Sequence, residues 1–160
     1  MKKWVRRIGI GLLVLFAVAQ LKRPAHANPQ AVPALAIHAR MEVPAEVSSI
    51  LERSCRDCHS NNTQWPWYSH VAPVSWWLVD HVNHGRSHFN YSEWGKGRPE
   101  KVEEHLGEIC EEVSSGTMPL PSYLRMHSNA RLSPIDVKAL CTWTEAEQQR
   151  LTKAPAARPR

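Results

Sequence analysis

The stretch Ser54-Cys55-Arg56-Asp57-Cys58-His59-Ser60 sets two cysteines three apart with a histidine directly after the second. Three chemistries use such residues. A redox dithiol usually opens a helix beside a β-sheet. This chain has no β-rich run, and dithiol chemistry does not need the histidine. A tetrahedral zinc site needs four ligands, commonly from a second cysteine or histidine pair, whereas Cys110 and Cys141 stand alone. C-x-x-C-H is also the attachment signature of c-type haem. One helical turn would set Cys55 and Cys58 side by side to form thioethers, with His59 one step further round as the proximal iron ligand. The third chemistry uses every residue of the motif. One covalently attached haem c is therefore expected.

The opposite side of such an iron needs a ligand of its own. Met118 stands in Gly116-Thr117-Met118-Pro119-Leu120-Pro121, where two prolines stiffen the backbone and leave little entropy to lose on ligation. It is the candidate distal ligand. Met41 and Met126 lack that setting and read as packing residues. His81, His84 and His88 would share one helical face if the helix lasted that far, which makes a second metal site conceivable. Gly85 and Asn90-Tyr91-Ser92 suggest an earlier break, leaving these histidines as a polar rim.

Helices must position these groups. Val47, Ile50, Leu51 and Ser54 follow i, i+3, i+4, i+7 spacing, so a helix opening near Pro44 should run into the cysteine motif. Pro73 opens a second helix through Trp76, Trp77, Leu78, His81 and Val82 to about Gly85. A third, from Ser92 or Pro99, has an acidic face with Glu100, Glu103, Glu104, Glu108, Glu111 and Glu112, and an apolar one with Val102, Leu106, Ile109, Cys110 and Val113. The acidic face reads as solvated. Gly116 suits its C-terminal cap, and Ser133-Pro134 opens the last helix. Trp65, Trp67, Tyr68, Trp76, Trp77 and Trp94 suit either a cofactor wall or plain core. Asn83, Arg86 and Tyr123 are candidate partners for carboxylates. A disulfide between Cys110 and Cys141 is a further possibility in an oxidising compartment.

The N-terminus reads as an export signal. Lys2, Lys3, Arg6 and Arg7 precede the apolar run Ile8–Leu21, and Ala25-His26-Ala27 offers an A-x-A cleavage signature. The run is shorter than the about 20 residues of a full span, although Trp4 and Val5 would extend it to a tilted anchor over residues 4–21. Cleavage and retention both fit these residues. After residue 27, 14 basic residues face 15 acidic ones, so the basic balance belongs to the targeting segment and gives no support for nucleic-acid binding. With 42% hydrophobic and 22% charged residues, the 160-residue chain suits one globular domain. The expected division is residues 1–27 as signal peptide or anchor, 28–41 as linker, 42–150 as an all-α domain, and 151–160 as a disordered tail.

The run from Cys55 to Trp94, with C-x-x-C-H-S, W-P-W-Y, P-V-S-W-W and H-V-x-x-G-R, and the later Gly116, Met118, Pro119, Leu120 and Tyr123, resembles the bacterial haem-binding domain family of exported c-type haem proteins. The resemblance covers about residues 42–145. It implies a cytochrome c-like helical fold around one haem, with Cys55 and Cys58 as attachment, His59 as proximal ligand and Met118 as distal ligand. His84 falls at a variable position of the pattern. Arg23-Pro24 and Asn28-Pro29 match an R-P-x-x-x-N-P stretch that follows a retained membrane segment, which favours an anchor. The expected activity is one-electron transfer with a redox partner protein on the extracytoplasmic side of the inner membrane, in the periplasm, and no catalysis. The alternatives are a peroxidase-like enzyme with His81 as acid–base group, and a sensor or accessory subunit with a displaceable sixth ligand.

Overall fold

The computed structural model describes residues 2–153. Among them there are helices and short 3₁₀ turns but no strand. The α-helices are α1 (Lys2–Ala19), α2 (Ile37–Arg40), α3 (Ala45–Ser54), α4 (Arg56–His59), α5 (Val74–His88), α6 (Pro99–Ser114), α7 (Pro121–Leu124) and α8 (Pro134–Lys153). The chain is thus a small all-helical domain preceded by α1.

The apolar periods read from the sequence become the core. Val47, Ile50, Leu51 and Ser54 of α3 are buried, as are Leu106, Ile109 and Val113 of α6. The apolar side chains among these meet Leu140 and Trp143 of α8 in one cluster, and the Trp143 indole N–H donates to the Glu42 carbonyl at 2.9 Å. Ile37 and Met41, from the segment expected to be a linker, are 1% and 7% exposed in that cluster. Pro44 caps α3 from outside the helix rather than opening it. Pro99 does open α6, and Gly116 beyond its end takes φ +74°, the left-handed conformation that suits glycine. The Ser133 hydroxyl bonds Asp136 in a reciprocal cap at the start of α8: the Asp136 carboxylate accepts from the Ser133 N–H and O–H, and the Asp136 N–H donates back to Ser133 Oγ.

Cys110 and Cys141 form a disulfide between α6 and α8, with 4.8 Å between Cα atoms. It closes a loop of sequence separation 31, and cross-linking a loop of that length stabilises by about 3.5 kcal/mol through the unfolded chain. The Cys110→Ser/Cys141→Ser variant is therefore expected to lose about that much in urea unfolding.

No residue of α1 is buried, and no helix among the described residues is long and apolar enough to cross a membrane. The chain after α1 is nevertheless strapped to the domain. The Gln20 amide bonds both backbone groups of Ala72, at 2.9 and 3.2 Å. Trp76 donates its indole N–H to the Lys22 carbonyl at 2.7 Å, His26 Nε2 lies 2.8 Å from the Ser69 carbonyl, and the Asn28 amide donates to the Thr63 carbonyl at 2.9 Å. Of the tail expected at 151–160, residues 151–153 complete α8, and the rest lies outside the described residues.

Candidate functional site

Cys55 ends α3 and begins the next turn. Its carbonyl accepts from the N–H groups of Cys58 and His59, at 3.2 and 3.0 Å, so α4 is a single turn that brings Cys55, Cys58 and His59 together. Both cysteines are free thiols. Burial pushes the Cys55 thiol up to about 12 and the neighbouring Cys58 adds to the rise, while burial pushes Cys58 up to about 11. A dithiol nucleophile needs the opposite shift, toward thiolate. The environment therefore disfavours redox exchange and keeps both sulfurs protonated.

The turn is held from behind by α5. A Cβ on Gly85 would stand 2.6 Å from the Cys58 carbonyl oxygen, so only glycine lets α5 pass this close. Although Gly85 reads as a stop in sequence, α5 continues through it to His88. Gly85→Ala is expected to cost about 1–3 kcal/mol through overpacking, measured by urea unfolding.

His59 is aimed by Phe89. Its Nδ1 lies 3.2 Å from the Phe89 carbonyl, and the two rings stack with centroids 4.1 Å apart. A carbonyl only accepts, so Nδ1 carries the proton and Nε2 keeps its lone pair. Burial holds the His59 pKa below its ordinary value, with the Phe89 carbonyl opposing part of that effect. The neutral ring is the form a metal requires.

In front of the turn lies a cavity of about 300 Å³, with Cys58 on its wall beside Trp67, Tyr68, Leu78, Val82 and Leu120. That is the lower end of the range for small-molecule sites, about 300–1,000 Å³. Of the tryptophans expected to wall a cofactor, Trp67 and Trp77 line this cavity. Trp94 belongs to the core, Trp76 binds the strap, and Trp65 packs edge-on against His26.

Met118 is half-buried on the loop between α6 and α7, where its N–H donates to the Glu112 carbonyl at 3.1 Å. It is not on the cavity wall; Leu120, two residues later, is. His81, His84 and His88 do lie on one helix, yet they separate in function. His81 lines the cavity, His88 lies 3.4 Å from Glu108, and His84 is exposed. Among the described residues no three His, Cys, Asp or Glu side chains converge as a bare metal site.

Three residues act in ways the sequence did not suggest. Asp57, in a position that C-x-x-C-H leaves free, accepts from the Tyr123 hydroxyl at 2.8 Å and from the Gln64 N–H at 3.0 Å. It thereby ties the loop after Met118 to the cysteine turn. Arg86 uses its fork inside the protein: Nε donates to the Ser60 carbonyl, Nη1 to the Ala27 carbonyl, and Nη2 to Asn28 Oδ1 and Thr63 Oγ1, at 2.7 to 2.9 Å. His127 lies on the cavity wall, stacked on Tyr123. Asp57, Tyr123 and Arg86 couple positions 58 to 66 residues apart, and sequence spacing carries no signal of that kind.

The donor types suit a haem: one helical turn carries two free thiols and a neutral imidazole, beside an apolar cavity that has Cys58, but not Cys55 or His59, on its wall. A family model described as a haem-binding domain matches residues 14–146. No curated protein and no solved structure matches the chain.

Proposed function

The chain belongs to the haem-binding domain family, and on that premise we propose that it is a c-type haem protein that transfers single electrons. Cys55 and Cys58 would hold one haem by thioether bonds, with His59 as proximal and Met118 as distal iron ligand. A bound haem supplies a one-electron couple, which His/Met ligation sets relatively high. The observation that carries the reading is the His59 imidazole, fixed with Nδ1–H on the Phe89 carbonyl, within one turn of two free thiols. A second-sphere bond of this kind sets both tautomer and ring orientation in metal-ligating histidines.

The protein's own work in this reading is positional. Gly85 lets α5 brace the turn, Asp57 fixes the Met118 loop through Tyr123, and Trp67, Tyr68 and Trp77 keep the cavity wall apolar. The disulfide supports an oxidising, extracytoplasmic location. The strap favours retention of the N-terminal segment, because Ala27 and Asn28, the residues flanking the A-x-A cut, are both engaged by Arg86. Membrane contact would then run through residues 4–21, and the electron partner would be a protein met at that membrane.

The test is the full chain co-expressed with a haem-attachment system. Intact mass should show one covalent haem, and the ferric near-infrared spectrum should show a methionine–iron charge-transfer band that Met118→Ala removes. The peroxidase-like alternative draws on His81, which lines the cavity. It predicts instead a high-spin ferric wild type with fast peroxide turnover.

A further inference from the structure

From Ile8 to Ala19 every residue of α1 is apolar, and the large ones among them, Ile8 to Val18, are at least 49% exposed. A helix apolar on all sides belongs in an apolar medium. The domain carries a second surface of the same kind. Among the described residues, seven large hydrophobic side chains beyond α1 are exposed. Four of the seven, Trp67, Val74, Trp77 and Met126, rim the cavity in front of the cysteine turn. Scattered exposed hydrophobics are ordinary, whereas a contiguous patch marks a contact surface.

The strap fixes that patch beside α1. Gln20 follows the last residue of α1, and its side chain holds Ala72, two residues before Val74. The Lys22 carbonyl holds the indole of Trp76, next to Trp77. Consecutive Cα atoms lie about 3.8 Å apart, so the Val74 and Trp77 backbones stand within about 8 Å of residues bonded to the strap. The headgroup layer flanking the hydrocarbon is about 5–8 Å deep. We propose that the face formed by Trp67, Val74, Trp77 and Met126 rests in the headgroup layer of the bilayer that α1 enters. The inference builds on the reading of residues 4–21 as the membrane contact.

Lipid is the occupant that the neighbouring chemistry suits. An indole is an apolar body with one polar N–H, and Trp gathers at the membrane–water boundary for that reason. Basic side chains near the end of an apolar helix reach for the headgroups. Lys22 and Arg23 are both exposed at that end. The Lys22 ammonium lies 5.7 Å from the Trp76 ring, and Arg23 donates from Nε to the Gln20 carbonyl at 3.3 Å. A guanidinium has five N–H donors and an ammonium three, so both cations keep donors for lipid phosphates. The cavity with Cys58 on its wall then opens onto headgroups rather than bulk water.

Photocrosslinking of the full-length holoprotein in vesicles of phosphatidylethanolamine and phosphatidylglycerol tests this. p-Benzoylphenylalanine replaces Trp67, Trp77 or, as a reference, Ile135, which is 72% exposed on α8 and off the cavity. Positions 67 and 77 should give phospholipid adducts, read by mass, several-fold more often than position 135. Equal yields at all three positions would mean adsorption by no particular face, and overturn the proposal. So do crosslinks between two protein chains, or unreacted labels at 67 and 77 in vesicle-bound protein. Helicity by circular dichroism accompanies each variant. Should the Trp77 variant not fold, position 67 decides alone, because Trp67 is 76% exposed and stands outside the core cluster. A wild type that fails to float with the vesicles sinks the membrane reading of residues 4–21, and this face with it. Loss of covalent haem by intact mass strikes the haem reading and leaves the crosslinks to judge the face.

Discussion

The Cys55→Ser/Cys58→Ser variant is expected to carry no covalent haem at all, while keeping its helical fold and the Cys110–Cys141 disulfide. Serine cannot form the thioether, so the intact mass should fall to that of the bare polypeptide and the haemochrome of extracted protein should vanish. The fold should persist because Cys55 only borders the core formed by Ile50, Leu51, Leu106, Leu140 and Trp143, which the disulfide-linked pair α6 and α8 holds together. The cost of two enclosed hydroxyls in place of thiols is about 1–3 kcal/mol per unpaired group, which urea unfolding of the haem-free proteins would measure. A zinc pair makes the opposite prediction: metal content by elemental analysis would fall and no haem would be present in the wild type. Haem retained by the double serine variant would show that attachment does not pass through this turn.

Much of this site was legible in the sequence because it is local. C-x-x-C-H occupies one helical turn, and the periodic apolar residues of α3 and α6 are the ones buried. Gly116 and Ser133 cap their helices by rules that act within a few residues. Distant partners decided the remainder. Gly85 reads locally as a breaker, yet α5 passes through it because the Cys58 backbone leaves no room for a Cβ. Residues 28–41 mix proline and alanine without a period, so nothing in them announces that Ile37 and Met41 enter the core. Met118 stands out in sequence through its proline-stiffened loop and the family resemblance; its half-buried place off the cavity wall depends on how the chain leaves α6, with the Met118 N–H on the Glu112 carbonyl. Tyr123 and Arg86 look like carboxylate partners for a cofactor, whereas their polar atoms bind Asp57 and the strap. The R-P-x-x-x-N-P and H-V-x-x-G-R stretches thus turn out to be two halves of one contact.

Arg86→Ala is expected to cost about 3 kcal/mol and to loosen the strap at Ala27 and Asn28, the two strap residues that Arg86 holds. Hydrogen bonds from a charged donor contribute about 1.5–3 kcal/mol each, but bonds sharing one side chain do not add. The largest part should come from the Ser60 carbonyl, since Ser60 is 0% exposed and no water would replace the lost donor. Asn28→Ala removes only the strap side of the contact and should cost about 1 kcal/mol. A double-mutant cycle between the two positions should show coupling, because Nη2 bonds Asn28 directly. Arg86→Lys should behave like the alanine variant: an ammonium is a point charge and cannot reach four acceptors in a planar fork. The same substitution tests the fate of the N-terminus. With Arg86 present, the Ala27 carbonyl and the Asn28 side chain are both held, so intact mass should give the full chain. In Arg86→Ala, the Ala27 carbonyl is no longer held, and a fraction beginning at Asn28 should appear. If the wild type already begins at Asn28, the bond to Ala27 is lost with the leader. The Asn28 and Thr63 contacts then remain to hold the mature end, and Arg86→Ala would change stability without changing the mass.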